Sequence, residues 1–288
     1  MIIAHNGTCS NHCNVTTDIR IAKETGYGGI EVIGSKLYRY LDQGFTTEDL
    51  LGQLDGFPVV GLGFVQDIER YKPDDFAELE RETEKMCSVA AAINCNMVQL
   101  LTGPIDPGLG LPVADCYRDI MEMSWPELRK ITAKNLQGLS KIAAHHHVNL
   151  YLEALSWAPT HTLGQMLELI QEAGCDNIGI LLDFWHLYTS DTTPDEVAKL
   201  DKNMILGVQF CDSARGDGGS HADRHVWTGG GVIPLKYWVD AVLATGFDGW
   251  WACELFSPTH LEMDPWETAR LLKDTLRFLL PGRIDFSH

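Results

Sequence analysis

Ile178-Gly179-Ile180-Leu181-Leu182 is a short apolar run met by a carboxylate at Asp183, ahead of Phe184-Trp185-His186, and its reading decides the fold. An unbroken run of aliphatic residues and glycine suits a strand covered on both faces, as in a parallel sheet, better than one with a face open to water. Working outward, similar runs occupy residues 2–5, 29–33, 59–64, 97–101, 150–155, 178–184, 206–211 and 250–256. Longer amphipathic stretches follow each of them, at residues 17–25, 47–54, 75–93, 125–146, 163–173, 194–200, 235–245 and 265–280. Strand then helix, eight times over, predicts a closed (β/α)8 TIM barrel in a single domain spanning residues 1–288.

An open dinucleotide-binding sheet would carry a glycine fingerprint after its first strand, and Asn6-Gly7-Thr8-Cys9 supplies none. Helix punctuation agrees with the barrel: Thr47 precedes Glu48-Asp49, Ser124 precedes Trp125-Pro126-Glu127, and Gly174 and Gly246 stand just past helix ends. The longest connections, residues 102–123 and 212–234, are placed by this reading over the catalytic face.

The chain has 288 residues, a normal length for one barrel, with 22 basic against 40 acidic side chains and a formal charge of -18. That field repels phosphate backbones and anionic membrane surfaces, so neither nucleic acid nor membrane is an expected partner. No stretch reads as a leader or a membrane span, and a cytoplasmic protein is expected. The eight cysteines are scattered, several within apolar runs, and read as reduced thiols. Cys9, His12 and Cys13 lack a second Cys/His pair at zinc-site spacing. His145-His146-His147 falls at the end of a helix on the opposite face of the barrel, where histidine suits the helix dipole.

In a barrel of this type the chemistry sits where strands end. Glu153 interrupts Leu150-Tyr151-Leu152, Asp183 closes Leu181-Leu182, Gln209 follows Gly207-Val208, and Glu254 follows Ala252-Cys253. A carboxylate in a buried strand needs a cation or many hydrogen bonds to stay charged, and three together point to a divalent metal. Three carboxylates and one amide around such an ion leave a net charge of about -1, which is tolerable. The donors are all oxygen, so Mn²⁺ is the expected ion, with Mg²⁺ or Co²⁺ as alternatives. His186 is expected to contact substrate or move protons, and Arg224, ahead of Gly229-Gly230-Gly231, to bind a substrate oxygen. Glu31 and His161 can reach the same cavity. Trp157, Trp185 and Trp251 suit a ring-shaped substrate.

With Leu152-Glu153, Asp183 to His186, Val208-Gln209, Arg224 before the glycines, and Gly246-Phe247-Asp248-Gly249 leading to Glu254, the chain resembles the xylose isomerase-like barrel superfamily. The superfamily includes sugar epimerases, hydroxypyruvate isomerase, inosose and dehydroshikimate dehydratases and endonuclease IV. The resemblance implies one divalent metal held by Glu153, Asp183, Gln209 and Glu254, and a small sugar or cyclic polyol ketone as substrate. It further implies that Glu153 and Glu254 remove and return a proton around a metal-stabilised enediolate. Many members carry histidine where Gln209 stands, and the sugar 3-epimerases carry a second glutamate where this chain has Pro159. The expected activity is isomerisation or epimerisation, with dehydration as the alternative; a non-catalytic sugar-binding barrel and an abasic-site endonuclease are further alternatives. Homo-oligomers are compatible with the resemblance.

Overall fold

A computed structural model describes residues 1–104, 119–215 and 221–280. Eight parallel strands close into a barrel in sequence order: β1 (Ile2–Asn6), β2 (Gly29–Ile33), β3 (Val59–Val65), β4 (Met97–Leu101), β5 (Asn149–Glu153), β6 (Ile178–Asp183), β7 (Ile205–Phe210) and β8 (Trp250–Cys253). Pairing of β1 with β8, Ala4 opposite Ala252, closes the ring. The helices that cover it are α1 (Val15–Glu24), α2 (Gly34–Asp42), α3 (Thr47–Leu54), α4 (Pro73–Ala92), α5 (Trp125–His145), α6 (Leu163–Ala173), α7 (Phe184–Thr189), α8 (Pro194–Val197), α9 (Leu235–Ala244), α10 (Pro258–Leu261) and α11 (Pro265–Leu279).

Alternation along the strands sorts side chains into two cores. Ala4, Val60, Tyr151, Leu181, Trp250 and Ala252 form an apolar cluster of their own, the filling of the barrel. The strand residues between them, among them Ile3, Leu150, Leu152, Leu182, Val208 and Trp251, join the helices in the larger outer core. The filling is tight enough to dictate glycine: a Cβ on Gly207 would lie 2.1 Å from the Trp250 ring, and one on Gly61 would lie 2.5 Å from the Tyr151 hydroxyl.

Local differences from the sequence expectation have physical reasons. The sixth strand stops at Asp183 because that carboxylate caps α7 by accepting the His186 N–H at 2.9 Å, so Phe184 begins a helix instead of extending the strand. α2 follows β2 directly and was absent from the sequence reading. The fifth and eighth strands also end earlier than expected, at Glu153 and Cys253. Thr46, not Thr47, caps α3 through a reciprocal box with Asp49, and Ser124 forms the same box with Glu127. Residues 105–118 and 216–220, within the two long connections, and residues 281–288, at the end of the expected domain, lie outside the described residues.

Candidate metal centre

Two residues beyond the filling layer, the same inward phase of six strands carries polar groups. Tyr151 leads to Glu153, Leu181 to Asp183, Gly207 to Gln209 and Ala252 to Glu254, while Ala4 leads to Asn6 and Gly29 to Glu31. Asp183 lies opposite Gln209 in the β6–β7 register, and Asn6 opposite Glu31 in β1–β2. A polar layer therefore sits on an apolar plug at the C-terminal mouth of the barrel, where barrel active sites form.

Glu153, Asp183 and His186 offer ligand atoms that all lie within 4.8 Å of one another, the one such cluster among the described residues. Burial pushes the Glu153 carboxyl well above its ordinary range, and the negative neighbours Asp183 and Glu254 push it further. Burial also raises Glu254, to about 8, with Arg224 pulling the other way. Acids that resist ionisation when crowded together gain most from a divalent cation. Gln99 donates to Glu153 Oε2 at 2.6 Å and fixes that carboxylate. Gln209 adds the neutral oxygen: its Nε2 donates to Glu31, and its Oε1 is buried without a hydrogen-bond partner among the described residues. A buried orphan oxygen beside crowded carboxylates is what a ligand to a hard cation should look like.

His186 is held differently. Its Nδ1 stands 3.0 Å from the backbone N–H of Ser156 and accepts it when the neutral ring carries its proton on Nε2. That nitrogen points into the mouth, 3.7 Å from Glu153 Oε1 and 3.1 Å from Arg224 Nη1. The Ser156 N–H and Arg224 Nη1 are both obligate donors, so the neutral ring accepts from only one of them: with its proton on Nε2 it donates toward the site, and with its proton on Nδ1 the Nε2 lone pair accepts from Arg224 or binds a metal. Arg224, 3% exposed, pairs with Glu254 and with Asp183 Oδ2 at 3.3 Å, and its guanidinium lies 5.0 Å from the Trp185 ring and 4.4 Å from Phe256. It supplies the positive charge within this cluster.

The loop that carries Arg224 is tied down by Asp212, just past β7. The Asp212 carboxylate accepts the backbone N–H groups of Ser213, Gly229, Gly231 and Ile233 at 2.8–3.0 Å. A Cβ on Gly231 would lie 2.3 Å from that carboxylate, which explains the glycine.

The structure thus brings Glu153, Asp183, Gln209, Glu254, His186 and Arg224 to one mouth. Trp157 and Trp185 flank it, in edge contact with the His186 ring at 5.1 and 5.0 Å. Trp251 does not belong there: it packs on Phe210 and Phe247 in the outer core, because the residue next to an inward Trp250 must point outward. His161 folds back onto the Ala158 carbonyl. His146 pairs with Glu84 at the far end of the barrel, and His12 with Glu262 on the surface. Glu31 does reach the polar layer. Gln99, Asn6 and Asp212 escaped the sequence reading, although the first two stand at the same inward phase as the candidate ligands.

A closed parallel barrel with an acid-lined mouth defines a class of enzyme folds, and comparison with known proteins narrows it. Residues 19–281 match the family model described as xylose isomerase-like TIM barrel. The chain belongs to that family. An inosose isomerase of Halalkalibacterium halodurans is 24% identical over 277 residues, covering 94% of this chain and 93% of the relative. A 3-dehydroshikimate dehydratase of Pseudomonas aeruginosa is 22% identical, covering 81% of this chain but 34% of its own length. Among solved structures, the IolI protein with a bound zinc atom superposes with a TM-score of 0.87 at 20% identity, covering 99% of this chain and 100% of that one. No described helix is long and apolar enough to cross a membrane.

Proposed function

We propose that this protein is a divalent-metal-dependent isomerase or epimerase of a small polyhydroxy ketone, with cyclic polyol ketones of the inosose type as the first candidates. The observation that carries the reading is the convergence of Glu153 and Asp183 with the orphan oxygen of Gln209 and the raised carboxyl of Glu254 at one buried mouth. Glu153, Asp183, Gln209 and Glu254 hold the ion. Their oxygen donors favour Mn²⁺, with Mg²⁺ or Co²⁺ as substitutes, while the zinc in the IolI structure supports a divalent ion in general. Bound there, the ion supplies Lewis-acid polarisation of the ketone and of its neighbouring hydroxyl.

The protein's own groups do the rest. One of Glu153 and Glu254 takes the proton from the carbon beside the carbonyl, and the other returns one to the adjacent carbon or the opposite face. When the ketone moves along the ring, a hydroxyl proton must travel the other way between the two oxygens. His186 Nε2–H is placed to carry it. Arg224 binds the oxygen on which negative charge develops, and Trp157 and Phe256 provide flat apolar walls for the C–H faces of a ring.

Elimination of a β-hydroxyl from the same enolate is the second reading, favoured by the relative that is a dehydroshikimate dehydratase. One experiment addresses both. The Mn²⁺-loaded protein is incubated in D₂O with inososes, ketoses and dehydroshikimate, and followed by NMR and ultraviolet absorbance. Deuterium beside the carbonyl with a new isomer supports isomerisation, and loss of water to a conjugated product supports dehydration. No exchange with any of them, from protein shown to hold metal, would contradict the proposal.

A further inference from the structure

We infer that Glu31 is a positioning residue that sets the orientation of the Gln209 amide, so that a strand-two carboxylate decides which atom strand seven presents to the metal centre. The assignment rests on the metal-centre reading above.

An amide can present either a donor or an acceptor, and only its surroundings choose between them. Here the choice is forced. Gln209 Nε2 lies 3.1 Å from Glu31 Oε1 and 2.9 Å from Glu31 Oε2. An ionised carboxylate only accepts, so the amide must turn its NH₂ toward Glu31 and its oxygen away. The oxygen so displaced is the one left buried and unpartnered, at the register level of Asp183.

Glu31 is itself held from two other sides. Asn6 Nδ2 donates to its Oε2 at 2.6 Å, and the Tyr151 hydroxyl donates to its Oε1 at 3.0 Å. The bare upper face of Gly61 leaves room for that tyrosine. With Gln209, three neutral donors from strands one, five and seven converge on one carboxylate that is 1% exposed, and no cation pairs with it among the described residues. Two donors would have been enough to keep a buried acid from being orphaned. The third leaves its other end buried and unpartnered at the register level of Asp183, and a carboxylate behind a neutral ligand also makes that ligand's oxygen more electron-rich.

The test is Mn²⁺ binding to the full chain by calorimetry, in the wild type, Glu31→Gln, Gln209→Ala and the double variant. In Glu31→Gln the partner amide offers both a donor and an acceptor, so Gln209 is no longer fixed, and Mn²⁺ affinity should fall by about 10- to 100-fold. In the Gln209→Ala background the Glu31→Gln change should have no further effect. An equal loss in both backgrounds would mean that Glu31 acts through its charge alone and would overturn the assignment, as would unchanged affinity in Glu31→Gln. Absence of Mn²⁺ binding by the wild type would instead overturn the metal-centre reading, and the assignment with it.

Because a buried acid-to-amide change can disturb folding, the unaltered chain supplies a second readout. The Gln209 side-chain amide resonance, identified by its disappearance in Gln209→Ala, should exchange slowly with solvent both before and after Mg²⁺ is added, because its N–H groups stay on Glu31 while its oxygen takes the ion. Free exchange of those protons with solvent, in the metal-free or the Mg²⁺-loaded protein, would overturn the assignment.

Discussion

Replacing Arg224 with leucine should destabilise the metal-free protein by about 3–5 kcal/mol, the usual cost of stripping the partner from a buried charge pair. The guanidinium is 3% exposed, touches Glu254, and stands 3.3 Å from Asp183 Oδ2. Its contacts over Trp185 and Phe256 add about 0.5–2 kcal/mol each, which a leucine of similar reach replaces only in part. Without it, two buried carboxylates face Glu153 with no cation among them. Glu254, which burial raises to about 8 even beside Arg224, rises further without that cation and holds its proton, which limits the loss. Manganese should reverse the effect, because in the variant it becomes the cation for those carboxylates; saturation at a hundred times the dissociation constant adds about 2.7 kcal/mol. Urea unfolding of both proteins, with chelator and with Mn²⁺, measures all four stabilities. The reasoning is refuted if the metal-free variant loses less than about 1 kcal/mol, the value of an exposed pair, or if Mn²⁺ stabilises the wild type more than the variant.

Two further outcomes are expected. Asp212→Ala strands four backbone N–H groups and should lower stability by about 2–4 kcal/mol, while Asp212→Asn, which keeps one acceptor oxygen, should lose less; limited proteolysis should show new cleavage within residues 213–231, and equal resistance in all three proteins would argue against a pinned loop. His5 is buried against Tyr27, with Nε2 on Ser10 at 2.9 Å and Nδ1 unpartnered, and burial first, then Lys36, lowers its pKa from 6.5 to about 3. The unfolded chain therefore binds a proton that the folded chain refuses, and stability falls as pH drops from about 6.5 to about 3, by about 1.4 kcal/mol per pH unit. His5→Gln should remove one proton's worth of that slope, and parallel stability curves for the two proteins between pH 4 and 6.5 would contradict it.

The strand–helix alternation made the barrel legible, because a strand buried on both faces writes itself as an unbroken apolar run. The same property hid the phase within each run. Trp250 and Trp251 look alike in sequence, yet one plugs the barrel and the other packs under a helix. Phe184 continues the apolar character of β6, so the first residue of a six-residue helix capped by Asp183 passed for the end of a strand. The four ligand candidates were readable because each is a lone polar residue closing an apolar strand. Their supports were not: Glu31 meets Gln209 across 178 residues of chain, and only barrel closure in the observed register brings them together. Counting polar residues at the ends of all eight strands, rather than the last four, would have brought out Asn6 and Gln99 beside Glu31.

Metal analysis of the purified protein tests the central claim most directly, repeated on Glu153→Ala, Asp183→Ala, Gln209→Ala and Glu254→Ala. The account predicts about one divalent ion per chain, with binding lost or weakened in every variant while the fold, judged by circular dichroism, persists. A folded wild-type protein that holds no metal after Mn²⁺ is added, or a metal that all four variants retain at full affinity, would contradict it.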